Sequence, residues 1–262
     1  MGYKLPSPVA ASDGGTGVSS VSTTPGVSLI SNGTGNQYFN PFQGTYLFDD
    51  FITGAQTSEL GWNIIQGTFG SFTIGTTTDA GHPGNMQLSS SNIASSGGTI
   101  SLSLSNTTGT VILGSGAIDL YWVVQLPTLS NSTNRYAYVV GFGTSAANTA
   151  VPYFQNGVYF SYSDSVNSGN WQLIATKAGV STTTNTATVV GTTYTTLHIN
   201  INAAGTTATF YINGVSVGTV ASNLPVVSVA PAAYIQKSIG SAATSSANHD
   251  MVYMYQSLTS PR

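Results

Sequence analysis

From Thr45 to the C-terminus, apolar and polar residues alternate with the two-residue period of half-buried β-strands, not the 3.6-residue period of helices. Ile100, Leu102 and Leu104 alternate with serine, and Ile118, Leu120, Trp122, Val124 and Leu126 share one face of the next run. The same phase groups Tyr136, Tyr138, Val140 and Phe142, then Val158, Phe160 and Tyr162, then Trp171, Leu173 and Ala175. Between 194 and 220 the pattern predicts a three-stranded meander. Leu197, Ile199 and Ile201 form one face before a turn at 202–205, and Ala208, Phe210 and Ile212 form the returning one. Asn213-Gly214 then supplies the two positive-φ residues of a type I′ turn, and Val215 and Val217 follow. About a dozen such strands, with turn signals every 8–12 residues, predict an antiparallel two-sheet jelly-roll sandwich and exceed an immunoglobulin domain.

Residues 1–45 carry no sustained period and are dominated by Gly, Ser, Thr, Pro and Asn. They are read as an extended N-terminal arm that anchors the chain to a neighbour, with 46–262 as the sandwich. No repeat of 20–50 residues is present, so a solenoid or propeller is excluded.

Composition narrows the function. Of 262 residues, five are Lys or Arg and eight are Asp or Glu, a charged fraction of 5% against about 25% in ordinary soluble domains. Serine and threonine number 71, so hydration rests on hydroxyls, and such a surface tolerates close association with other protein. Scattered basic residues and a formal net charge of −3 exclude a nucleic-acid partner, which requires clustered cations. No run of 18 apolar residues marks a membrane span and no leader is visible in MGYKLPSPVA. With no cysteine, disulfides, thiolate metal sites and a cysteine nucleophile are excluded, and the compartment stays open.

Three stretches, TYLFDDFITG at 45–54, ATFYINGVSVGTV at 208–220 and HDMVYMYQSL at 249–258, resemble the concanavalin A-like lectin/glucanase superfamily in its laminin-G-like branch. The resemblance covers about residues 45–260 and implies an opening strand paired with a closing strand, with the Asn-Gly hairpin between them. In the arm, Gly14-Gly15-Thr16-Gly17 resembles elements of bacteriophage tail-fibre and other virion appendage proteins. Together the two resemblances imply a virion structural protein, and appendages with lectin-like heads imply a homo-oligomer, expected to be a trimer, attached to other virion proteins through residues 1–45.

Catalysis is not expected. The glucanases of that superfamily use paired carboxylates on one strand, whereas this chain has one glutamate, Glu59, and Asp49 and Asp50 are adjacent and point to opposite faces of a strand. His82, His198 and His249 are not at ligand spacing, and His198, opposite in phase to Leu197 and Ile199, reads as a solvated or hydrogen-bonded strand histidine. His249-Asp250 lacks a nucleophile elbow. No cofactor and no metal are expected, since the loop YSDSVNSGNW offers a single carboxylate to a hard cation that needs 6–8 oxygens.

That same loop is the candidate glycan site. Asp164, Asn167 and Asn170 offer hydrogen bonds to sugar hydroxyls, and Trp171 and Tyr162 offer flat rings. The orientation of Trp171, in phase with Leu173, decides whether its ring is available. The expected function is therefore a non-enzymatic, fibre-type head that recognises host surface glycan. The alternatives are a decoration or connector protein that touches only other virion proteins, and a glycan-degrading enzyme.

Overall fold

A computed structural model of the chain describes residues 28–31, 36–39, 44–51, 62–66, 71–74, 84–90, 92–94, 97–101, 109–144, 154–240 and 244–257. The hairpin of β1 (Ser28–Ser31) and β2 (Asn36–Phe39) is a separate two-stranded sheet. The other residues through 43, on which the expected arm falls, lie outside the described residues, and β3 (Gly44–Asp49) begins the sandwich.

Two antiparallel sheets make the body. One has seven strands in the order β12 (Val180–Val189), β11 (Asn170–Lys177), β10 (Gly157–Tyr162), β9 (Arg135–Gly143), β16 (Ala230–Ile239), β7 (Gly97–Ser101) and β4 (Asn63–Gln66). The other has eight. Its order is β15 (Val215–Val220), β14 (Ala208–Ile212), β13 (Thr195–Ile201), β8 (Ile118–Gln125), β17 (Ser246–Ser257), β6 (Met86–Ser89) and β5 (Ser71–Ile74), with β3 also paired to β17. Opening strand β3 thus lies beside closing strand β17, in the register Tyr253↔Phe48 and Tyr255↔Tyr46. Among the described residues the one helical element is a 3₁₀ turn at Asn167–Gly169. The jelly-roll sandwich expected from the two-residue period is the fold observed.

The inner faces are those read from the sequence. Ile118, Leu120, Trp122 and Val124 of β8 meet Tyr138, Val140, Phe142, Phe160 and Leu173 of the opposite sheet in one continuous core. Burial of each such large apolar side chain contributes about 1.5–3 kcal/mol. Phe160 and Phe210 meet edge to face across the sandwich, centroids 5.0 Å apart. Asn213 and Gly214 have φ of 49° and 79°, the left-handed pair of the expected type I′ turn.

One region departs from simple alternation. β9, β10 and β16 are buried along nearly their whole length on both faces. Val139, Tyr159, Ile174, Ala232 and Tyr234 form a second apolar cluster on the outer side, on which Phe154 packs. The seven-stranded sheet is thus closed on both sides at its centre, while the eight-stranded sheet alternates buried with half-exposed residues along β8, β13 and β14.

Candidate functional site

The predicted loop is built as a turn whose polar groups are satisfied internally. Asn167, Ser168 and Gly169 take three successive left-handed conformations, with φ of 48°, 56° and 78°. The Asn167 side-chain amide donates to the carbonyls of Trp171 and Thr186, at 2.8 Å each, so it clamps β11 to β12 where their register shifts. Asp164 accepts two hydrogen bonds from the Arg135 guanidinium, at 3.0 and 3.1 Å, and one from the Ser130 hydroxyl. Burial pushes the Asp164 carboxyl upward, but the bonds from Arg135 and Ser130 outweigh it and hold the group below its ordinary value. Asn170 is half-buried and returns its backbone N–H to Asn167.

Trp171 and Tyr162 are each 2% exposed and belong to the core. The Trp171 ring is enclosed by Phe160, Tyr138 and Tyr162, so it presents no face to solvent on which a pyranose can stack. Burial raises the Tyr162 hydroxyl to about 12.

The histidines separate in the same way. His249 is fully buried: its Nδ1 donates to the Met86 carbonyl at 3.0 Å, and its Nε2 accepts from the Tyr138 hydroxyl at 2.8 Å across the sandwich. Asp250 takes no part in these bonds, and burial depresses the imidazole to about 4. Asp49 accepts from the Trp62 indole at 2.7 Å and from the Phe51 backbone, a structural use. His82 and Glu59 lie outside the described residues. His198 is the strand histidine expected, hydrogen-bonded to Asp119 at 2.8 Å.

His198 leads to a surface that the sequence reading passed over. On the outer face of the eight-stranded sheet the registers align Tyr211, His198, Tyr121, Tyr253 and Phe48 in one row across β14, β13, β8, β17 and β3. A second row, two residues along each strand, aligns Thr209, Asn200, Asp119, Tyr255 and Tyr46. Tyr46 and Phe48 are 64% and 48% exposed. The Tyr121 and His198 rings are stacked at 3.9 Å with 5° between planes, and His198 and Tyr211 at 4.7 Å and 17°.

Rings stacked between strands about 4.8 Å apart have their normals along the strand-to-strand direction, so they stand on edge. They offer edges and hydroxyls to solvent, and the outward flat face at the row's end is that of Tyr211, over its cross-strand neighbour, the exposed Ser216. At the opposite end of the face, Asn248 donates to Gln125 at 2.9 Å and accepts from Gln87 at 2.8 Å, a row of side-chain amides.

Electrostatically the rows centre on Asp119. Its burial pulls the carboxyl upward, and the hydrogen bonds from His198 and Asn200 outweigh this, so the group lies below its ordinary value and is ionised. Burial first, and Asp119 second, raise the hydroxyls of Tyr121 and Tyr253. Both are O–H donors at neutral pH. Asp250 lies five residues along β17 from Tyr255, the partner of Asp119, roughly 17 Å at the strand rise. That exceeds the roughly 5–9.5 Å separating the carboxyls of glycosidases. Among the described residues no group of three metal-ligating side chains occurs.

Fold and surface together define the class: a two-sheet antiparallel jelly-roll sandwich in which, among the described residues, one face of the eight-stranded sheet alternates buried with half-exposed side chains. Residues 81–254 match the family described as SO2946-like, C-terminal domain, and the chain belongs to that family. The protein of unknown function SO2946 from Shewanella oneidensis MR-1 is 14% identical with a TM-score of 0.57, over 84% of this chain and 89% of that one. The Emp47p carbohydrate recognition domain gives 8% identity and a TM-score of 0.56, over 83% and 96%. An endo-β-1,4-glucuronan lyase from the fungus Trichoderma reesei gives 8% and 0.52, over 80% and 95%. No curated protein sequence matches the chain.

Proposed function

We propose that the protein is a non-enzymatic, lectin-like glycan-binding protein, and that glycan is held on the outer face of the eight-stranded sheet. The observation that carries this reading is the row Tyr211–His198–Tyr121–Tyr253–Phe48 with Asp119 and Asn200 alongside. Amphipathic rings with polar tips, next to a carboxylate and an amide, combine apolar contact with the hydrogen bonds that fix a sugar's orientation. The fold shared with a carbohydrate recognition domain supports the reading. A carboxylate without a second described carboxylate at catalytic spacing, flanked by tyrosines that keep their protons, supports binding over hydrolysis.

The setting we propose is a virion, with the domain as the head of a fibre-type appendage, assembled as a homotrimer and joined to other virion proteins through residues 1–45. The scarcity of charge, the hydroxyl-rich composition and Gly14-Gly15-Thr16-Gly17 support it. A glycan array probed with the full chain tests the function. Tyr121→Ala and Tyr253→Ala are then expected to weaken the bound glycan by about tenfold or more while melting temperatures stay near that of the wild type. Absence of any glycan ligand refutes the reading, and so does binding that both substitutions leave intact.

A further inference from the structure

We infer that this face is a subsite array for a neutral, extended glycan running across the strands, and that Asp119 sets its selectivity against acidic sugars. The inference rests on the glycan-binding reading and adds the ligand's charge, direction and length.

Charge is divided between the sheets. Among the described residues the cations Arg135, Lys177 and Lys237 all belong to strands of the seven-stranded sheet. Asp49, Asp119 and Asp250 belong to strands of the eight-stranded sheet, and Asp50 directly follows β3. Asp164 is the described carboxylate outside that sheet, and it is paired with Arg135. A polyuronate laid on the ring rows therefore meets an ionised Asp119 with no described Lys or Arg on that face. In a chain of so few charges no neighbouring described Lys or Arg offsets this field, and the carboxylate's hydrogen bonds come from His198 and Asn200. A neutral sugar meets hydrogen-bond acceptors and donors instead: the Asp119 carboxylate, the Asn200 amide and the phenol tips.

Direction and length follow from the register. Each of five adjacent strands contributes one side chain to each row, and four steps of about 4.8 Å give a track of roughly 19 Å, with a repeat close to the length of one pyranose in an extended chain. The stacked rings of Tyr121 and His198 turn their faces to each other, so the middle of the track contacts sugar through edges and hydroxyls. The outward face of Tyr211 over Ser216 gives a flat platform at one end, and exposed Phe48 and Tyr46 give apolar surface at the other.

The test titrates the full chain by calorimetry with neutral hexasaccharides of glucose, mannose, galactose and N-acetylglucosamine, and with hexaglucuronate and hexagalacturonate. The expected result is binding of a neutral oligomer, with affinity rising with length to four or five residues and then levelling. The acidic oligomers are expected to bind at least about tenfold more weakly at low salt, and raising the salt to about 0.5 M narrows that gap by screening. Asp119→Asn keeps an acceptor for His198 and Asn200, and it is expected to raise the acidic-to-neutral affinity ratio by about tenfold. Equal or tighter binding of the uronates by the wild type overturns the inference while glycan binding stands. So does an affinity already maximal for a disaccharide, or a ratio unmoved by both salt and Asp119→Asn. Failure of every sugar, on the array as in the calorimeter, overturns the glycan-binding reading itself.

Discussion

Acidification is expected to weaken the fold through His249 before Asp119 or Asp164 contributes. The imidazole is buried between the sheets, donates to Met86 and accepts from Tyr138, and its pKa falls to about 4 from an ordinary 6.5. Between those values the unfolded chain binds a proton that the folded chain does not, so stability rises with pH across the window and is lost as pH falls. Two and a half pKa units correspond to about 3 kcal/mol in full, of which about 2.5 kcal/mol is lost between pH 7 and pH 4.5. Asp119 and Asp164 act lower. Their folded pKa values lie below 3.8, so the stability they contribute is present above the unfolded value and lost only as pH falls through the folded one. Urea unfolding followed by tryptophan fluorescence, at intervals from pH 4.5 to 7, measures the slope. His249→Gln is the comparison, because an amide donates to Met86 and accepts from Tyr138 but does not titrate. The wild type is expected to lose about 2.5 kcal/mol more than the variant across the window; parallel pH profiles would refute the assignment of a buried neutral imidazole.

Trp171→Ala is expected to cost about 3–5 kcal/mol because the ring fills the core among Phe160, Tyr138 and Tyr162, and glycan affinity of the fraction still folded is expected to be unchanged. Asp164→Ala removes the acceptor of Arg135 and Ser130 and is expected to lower the melting temperature measurably, rather than behave as a neutral surface change. Gly214→Ala places a side chain at φ of 79° with no heavy atom within 4 Å of the new Cβ; the loss, about 1 kcal/mol by thermal unfolding, is backbone strain alone.

The inner faces were legible because one side of each strand had to be apolar, and two-residue alternation records that directly. Leu197, Ile199 and Ile201 are buried as read, and so are Trp171, Leu173 and Ala175. The outer faces were not, because alternation says which phase points away from the core without saying what meets it. Tyr121, His198, Tyr211 and Tyr253 each occupy the polar phase of a recognised strand, yet their alignment depends on strand order and register, and these bring together residues more than 130 positions apart. The loop at 161–171 reads as a site because its polar residues are contiguous in sequence. Contiguity there has a local cause: a run of left-handed residues and a register shift need side chains that satisfy the backbone, and Asn167 does so. The sequence signal for the sheet is the placing of Tyr121, Tyr211, Tyr253 and Tyr255 in the outward phase of β8, β14 and β17, where a purely solvated face needs only threonine and serine.

Placement on a sheet also governs how a ligand would be held. Tyr121 lies between Leu120 and Trp122, His198 between Leu197 and Ile199, Tyr211 between Phe210 and Ile212, and Tyr253 between Val252 and Met254, every flanking residue being buried. Each outward ring is therefore fixed at its base by two core residues and on one or both sides by a neighbouring ring. The seven-stranded sheet, closed at its centre on both faces, backs this layer through contacts such as Phe160 on Phe210 and Tyr138 on His249. A side chain already held in one rotamer loses little entropy when a ligand arrives, and that loss is about 0.5–1.5 kcal/mol for each mobile side chain that binding must order. A loop of the same composition incurs it several times over. Weak contacts to ring edges and hydroxyls add usefully only where this loss is avoided, which is the physical reason for assigning recognition to the rows on the sheet.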